Sequence, residues 1–327
     1  MPPVFIAIFG LSSNYETMKG IKSIFNPAAY SGYVFAFLSV VFLLAFSSCD
    51  KVPVGGGGNG GGAGNLPERI ILDTAYGSDT KQKLDIYLPA GRNNTTKLIV
   101  MIHGGAWQAG DKSEFNSYKN LFRAKWPAVA IANINYRLAS NTANIHHTEI
   151  MNDISSAVNF MAGNKTGFAI SDTMAMVGES AGAHLALLYT YAHNNNNFVK
   201  AVSDIYGPAQ INDWSWYNSF NIFLGQSISA ILTQYTGSAW TTPTTPLYES
   251  VSPIVRATSL SKPTIIFHGT IDVIVPLYQS QALNSKLTTL AVPHEYHEYF
   301  LDGHGFNSTN QNDCANKTVA FFQQHLR

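Results

Sequence analysis

The stretch "MAMVGESAGAHLAL", residues 174–187, runs from an unbroken apolar segment into Gly178-Glu179-Ser180-Ala181-Gly182 and out into helix-forming residues. A short apolar run, then a tight glycine-flanked serine, then a helix is the pattern of a strand turning sharply into a helix. G-x-S-x-G alone is a weak signal, so its weight depends on what surrounds it. The remainder of the chain from Arg69 alternates in the same way. "KLIVMIH" (97–103), "AVAIANINY" (128–136), "VKAVSDIYG" (199–207), "PTIIFHG" (263–269) and "HEYHEYF" (294–300) read as strands. Helical patterns separate them, among them 114–126, 148–164 with Ile150, Ile154, Val158 and Met161 at helical spacing, 181–193, 276–287 and a closing helix through Val319–Leu326. "RIILDTAYG" and "KLDIYLPA" form a leading strand pair. The alternation predicts a mostly parallel central sheet with helices on both faces.

In such sheets ligands sit at the carboxyl ends of the strands. The unusual residues fall there: His103-Gly104-Gly105, Gly178–Gly182, Gly269–Asp272 and "DGHGF" (302–306). A serine hydroxyl is a poor nucleophile without an adjacent base, which in turn needs an orienting acid. In chain order the candidates are Ser180, Asp272 and His304. "HGGAW" (103–107) brings backbone close to the serine, and Ala181 opens a helix whose first amides are free.

Several alternatives compete with these assignments. Asp272 is also a good helix cap. Asp302, two residues from His304, is badly placed to reach its ring. His103 and His268 stand at strand ends and read as structural, while His184 reads as a packing residue. His294 and His297 point to opposite faces of a strand, and "HEYHE" lacks metal-ligand spacing. His146, His147 and Glu149 read as a solvated loop, so no metal site is expected. Glu179 reads as a hydrogen-bonding support beside the serine.

Composition narrows the function classes. The 327 residues carry 20 basic and 20 acidic side chains, so there is no electrostatic footprint for nucleic acid. Hydrophobic residues make up 46%, ample for a core in a domain of about 260 residues, which buries roughly 70–75% of its unfolded surface. Two cysteines, Cys49 and Cys314, lie in unlike surroundings and read as unpaired, Cys314 as a free, buried thiol. "YVFAFLSVVFLLAF" (33–46) has the length of a signal h-region rather than a bilayer span. It ends in Phe46-Ser47-Ser48-Cys49, which resembles the lipobox of a bacterial lipoprotein, with Phe46 in place of the usual aliphatic residue. Met18 is a better signal start than Met1. The expected organisation is a signal region 1–48, a lipidated Cys49 with a glycine-rich tether (49–65), and a catalytic domain 66–327. The lipid anchor is its one expected link to a membrane, in a cell envelope or secreted setting.

Residues 66–327 resemble an α/β-hydrolase serine esterase of the hormone-sensitive-lipase-like and BD-FAE-like group. The likeness rests on Tyr87-Leu88-Pro89, His103-Gly104-Gly105-Ala106-Trp107, Asp111-Lys112, Asn135-Tyr136-Arg137-Leu138, Gly178–Ala186, Ser252-Pro253, His268-Gly269-Thr270 with Asp272, and Gly303–Phe306. It departs at Ala106, where the common motif has a third glycine, and at Ala183, where many relatives have glycine. The resemblance implies Ser180 as nucleophile, His304 as base and Asp272 as acid. It also implies an oxyanion hole from the amides near Gly105, Ala106 and Ala181, Trp107 as a substrate wall, and no cofactor. The aromatic-rich insertion at about 211–250 (Trp214, Trp216, Tyr217, Phe220, Phe223, Tyr235, Trp240, Tyr248) is expected to cap the site. The implied activity is hydrolysis of carboxylic esters, with acyl groups on carbohydrate polymers favoured. A lipase-type esterase, a serine peptidase of the same fold, and a non-catalytic binding module on a hydrolase scaffold are the alternatives.

Overall fold

A computed structural model describes residues 66–326 of the chain. The signal region, Cys49 and the tether lie outside the described residues. The leading strands β1 (Arg69–Ala75) and β2 (Lys83–Leu88) pair antiparallel, followed by β3 (Leu98–Ile102). A 3-10 turn over Lys112–Phe115 leads into α1 (Asn116–Lys125), β4 (Ala130–Ile134), α2 (His147–Gly163) and the short α3 (Lys165–Phe168). Then come β5 (Met174–Glu179), α4 (Ala181–Leu188) and β6 (Val199–Ile205). The next elements are α5 (Trp214–Tyr217), the small hairpin β7 (Ile222–Phe223) and β8 (Gln226–Ser227), α6 (Ile228–Thr236), α7 (Thr245–Ser250) and α8 (Pro253–Arg256). β9 (Thr264–Gly269), α9 (Tyr278–Thr289), β10 (His294–Tyr299) and α10 (Ser308–His325) close the domain.

Eight strands form one sheet in the order β1-β2-β4-β3-β5-β6-β9-β10, with β2 antiparallel to β1 and β4 and the others parallel. The strand period of two splits the core. Leu98, Val100 and Ile102 of β3 face one layer, where α2, α4 and α9 bring Ile154, Val158, Leu185 and Leu283. Ile99 and Met101 face the other, against Phe115, Tyr118, Phe122, Cys314, Val319 and Phe322 around α1 and α10. Both faces are covered, which is why these strands are apolar throughout rather than alternating. Cys314 is a free buried thiol. The fold is that of an α/β hydrolase.

Three segments differ from the sequence expectation. The last helix starts eleven residues before Val319, at Ser308. Its polar first turns are capped by Asn307, whose side chain accepts from the Thr309 and Asn310 amides. The helix after Ser180 stops at Leu188 and widens into a π-turn over Tyr189–His193. His146, His147 and Glu149 are a helix start rather than a solvated loop. The Glu149 carboxylate accepts from the His146 amide in a capping box at the head of α2.

Candidate active site

Ser180 stands between β5 and α4 with φ +51° and ψ −122°, a backbone state that non-glycine residues seldom adopt. Its two flanking glycines are required by space. A Cβ on Gly178 would lie 2.3 Å from the backbone of Gly182, and one on Gly182 would lie 2.2 Å from the Ile102 carbonyl oxygen. The turn is therefore pressed between its own strand and β3. Ala183, where relatives have glycine, is accommodated from the opposite side. A Cβ on Gly207 would meet the Ala183 methyl at 2.5 Å, so the neighbouring loop can pass Ala183 only as glycine.

The three polar candidates meet in a continuous chain. His304 Nε2 is 2.8 Å from Ser180 Oγ, and His304 Nδ1 is 2.7 Å from Asp272 Oδ2. A carboxylate only accepts, so Nδ1 carries the proton and Nε2 is left to accept from the serine hydroxyl. Asp272 does not cap the following helix, which begins only at Tyr278 with Leu277 at its N-cap. Oδ2 takes the histidine, while Oδ1 accepts from the Ile274 and Val275 amides and fixes the loop. Burial alone would raise this carboxyl, but the adjacent His268 and His304 rings outweigh it and hold it below the usual carboxylate range. Asp302 takes no part. It accepts from the Asn307 amide and the Asn307 and Asn310 side chains, anchoring the start of α10.

The "HGGAW" loop runs beside the serine, with Gly104 so close that a Cβ there would lie 3.3 Å from Ser180 Cβ. Gly105, Ala106 and Trp107 all have positive φ (+102°, +51° and +62°). This bend is held from outside. The Tyr136 hydroxyl donates to the His103 and Gly104 carbonyls at 3.1 and 3.3 Å, and the His103 ring stacks on Tyr136. Among the described residues, the amides of Ala106 and Ala181 have no hydrogen-bond partner, and both residues line the same cavity as Ser180. Two unpaired donors flanking the Ser180 hydroxyl have the geometry to receive a negatively charged oxygen.

That cavity is small and apolar. Trp107, Trp216, Phe223, Ile228, Ile231, Leu232, Ile274 and Val275 wall it, leaving about 20 Å³. The predicted insertion thus covers the site through α5, the hairpin and α6. Three of its other aromatics build the insertion's own core, where Trp240 stacks on Tyr248 at 4.8 Å and Tyr217 packs edge-on against both, while Tyr235 stacks on Trp107 and Phe220 is exposed.

Tyr206 and three motif residues, Glu179, His184 and His268, support the site. Tyr206, at the end of β6, donates to Glu179 Oε2 at 2.9 Å and packs its ring against His304 at 4.9 Å. Burial pushes the Glu179 carboxyl up to about 7, opposed by Tyr206 and the Gly104 amide. His184 is more than a packing residue: its Nδ1 accepts from Trp107 Nε1 at 3.2 Å and its Nε2 donates to the Val251 carbonyl. His268 bonds a loop carbonyl as expected, donating from Nε2 to Val275 O at 2.9 Å, but the same nitrogen lies 3.3 Å from Asp272 Oδ2. The signal for Tyr206 was available, since "DIYG" ends an apolar strand like the other site loops. Among the described residues, no group of His, Cys, Asp and Glu is arranged to hold a metal ion.

Residues 84–287 match the BD-FAE family model. The chain belongs to the BD-FAE family. As a BD-FAE protein it is similar to the isoprenylcysteine alpha-carbonyl methylesterase of Arabidopsis thaliana, at 25% identity over 70% of this chain and 55% of that one. Esterase LipC of Mycobacterium tuberculosis is 25% identical over 71% of this chain and 59% of its own. The chain therefore spans little more than half the length of the curated relatives it matches. A truncated carbohydrate esterase from gut microbiota superposes with a TM-score of 0.66 at 20% identity, covering 80% of this chain and 98% of that one. At that identity the likeness concerns the fold alone.

Proposed function

We propose that the protein is a serine carboxylesterase that takes a short acyl group onto Ser180. The observation that carries this reading is the hydrogen-bonded series Ser180–His304–Asp272 on a strained turn, opening into a cavity of about 20 Å³. One ordered water needs roughly 10–15 Å³ by the same kind of measure, so the cavity suits an acetyl-sized group. In the proposed reaction Ser180 Oγ attacks the ester carbonyl as its proton passes to His304 Nε2. The amides of Ala106 and Ala181, with Gly105 behind them, receive the oxyanion. The histidine proton then goes to the departing alkoxide, and a water repeats the sequence to release the acid. Asp272 stays ionised and steadies the imidazolium. The ester names of the relatives in Arabidopsis and Mycobacterium support the reaction class, and the carbohydrate esterase of like fold favours a sugar hydroxyl as the leaving group.

The test is hydrolysis of p-nitrophenyl acetate, butyrate and octanoate by the full chain, with Ser180→Ala beside it. Activity should be greatest on acetate and fall about 10⁴-fold or more in the variant. An organophosphonate should leave its mass on the Ser180 peptide. Equal activity in Ser180→Ala would overturn the reading. Attachment to an envelope membrane through Cys49 is a second proposal, resting on the lipobox-like sequence. Mass spectrometry of the membrane fraction should find lipid on that cysteine, and an unmodified Cys49 there would end it.

A further inference from the structure

Outside the cavity, the insertion carries a second feature that the ester chemistry does not use. Trp214 and Trp240 line an open cleft of about 520 Å³ with Thr241, Thr242 and Thr245. Trp214 is 56% exposed, an unusual state for an indole. One face of its ring lies parallel to Tyr217 at 5.6 Å and its edge meets Trp240 at 5.4 Å, so the other face is left open to the cleft. The cleft is rigid beneath. Trp240 Nε1 donates to Thr245 Oγ1 at 3.2 Å, and the Trp240 ring stacks on the buried Tyr248. The Thr242 hydroxyl has no partner among the described residues.

No charged side chain lines this cleft. Asp213, the nearest acid in sequence, is consumed by the Ser215 and Trp216 amides and the Tyr278 hydroxyl. The surface therefore offers a flat indole face beside hydroxyl groups, with no charge. That combination matches a pyranose ring, which has an apolar C–H face and a rim of neutral hydroxyls, and suits neither an anion nor a long alkyl chain. Trp214 also shares α5 with Trp216, which walls the Ser180 cavity, so cleft and cavity are built on one short helix.

We propose that the Trp214–Trp240 cleft is a neutral-glycan subsite, holding a sugar residue of a polymeric substrate while its ester reaches Ser180. The placement in catalysis rests on the esterase reading; the binding itself does not. The test uses the full chain with Ser180→Ala and follows tryptophan fluorescence on titration with unacylated xylohexaose and cellohexaose. Saturable quenching by at least one of them is expected, weakened about tenfold by Trp214→Ala, a change typical of losing an aromatic contact. In the active chain, Trp214→Ala should leave kcat/KM for p-nitrophenyl acetate within about twofold and raise KM on acetylated xylan. Thr242→Arg fills the cleft without disturbing the stacked rings, and should weaken oligosaccharide binding equally if Trp214→Ala lowers the melting temperature. Absence of binding by both oligosaccharides, or binding unchanged in both variants, would overturn the subsite. A wild-type chain inactive on p-nitrophenyl acetate would instead overturn the esterase reading and leave the binding result standing.

Discussion

Two histidine rings stand against Asp272 Oδ2, His304 at 2.7 Å and His268 at 3.3 Å. His268 is fully buried; its Nδ1 is 2.7 Å from Ser280 Oγ and its Nε2 faces both Val275 O and Asp272 Oδ2. Val275 O can only accept, so Nε2 bears the proton and Nδ1 accepts from Ser280. His268 is thus a positioning residue: its proton goes to the Val275 carbonyl, tying down the loop whose Val275 amide Asp272 holds, and Asp272 Oδ2 lies 3.3 Å from the same nitrogen. His268→Leu is expected to lower kcat on p-nitrophenyl acetate about tenfold with KM unchanged, and His268→Gln to recover part of the loss. An unchanged kcat in a folded His268→Leu protein would make the ring merely structural. Ser180, Asp272 and His304 were legible because each sits in a polar loop after an apolar strand. His268 was not, because its role depends on a ring tautomer set by the Val275 carbonyl, seven residues on in a loop. The glycines at 178 and 182 were legible as a sharp turn, yet their reason is contact with β3, which no local pattern reveals. Gly182→Ala should therefore fail to fold or lose several kcal/mol in urea unfolding, beyond the ~1 kcal/mol typical of point substitutions.

At the scale of elements, the helix α6 decides what the cavity accepts. Its cap is well defined: Ser227 Oγ accepts from the Ala230 amide, and Gly237 at φ +82° ends it in the left-handed region. It presents Ile228, Ile231 and Leu232 to the space above Ser180. Ile231→Ala removes three carbons from that wall. At about 0.8 kcal/mol for each newly buried methylene, hexanoate should gain about tenfold or more over acetate in relative kcat/KM. A ratio unchanged in Ile231→Ala would place the acyl group elsewhere. The existence of a covering insertion was legible from its density of aromatics. Which of them face the cavity was not, since Trp216 and Phe223 line it while Tyr217, Trp240 and Tyr248 pack on one another. The early start of α10 was hidden for a different reason. Its first turns are polar and held by Asn307 and Asp302, so hydrophobic spacing begins only near Cys314.

The molecule as a whole encloses ionisable groups that titrate against each other. Burial pushes Asp204 up to about 7, opposed by its bond from the Gly207 amide, and leaves its Oδ2 without a partner. Burial lowers His103 and His184 to about 4. Between about 4 and 6.5, the unfolded chain binds protons at the two histidines that the folded chain refuses, so these favour folding more as pH rises. Asp204 and Glu179 act in the opposite direction. The folded chain keeps their protons up to about 7 while the unfolded chain releases them at ordinary carboxylate values, so their ionisation costs stability as pH rises toward 7. The two effects offset one another below 6.5, and only the carboxyl effect survives above it. Asp204→Asn tests this, because the amide keeps the shape and never ionises. The variant should gain stability over the wild type at pH 8 relative to pH 5, with a ceiling of about 3 kcal/mol, since the loss between those values runs only from pH 5 to about 7. Urea unfolding at both pH values reads the difference directly. Equal gains or losses at the two would mean that Asp204 enters the fold already ionised, with a partner for Oδ2.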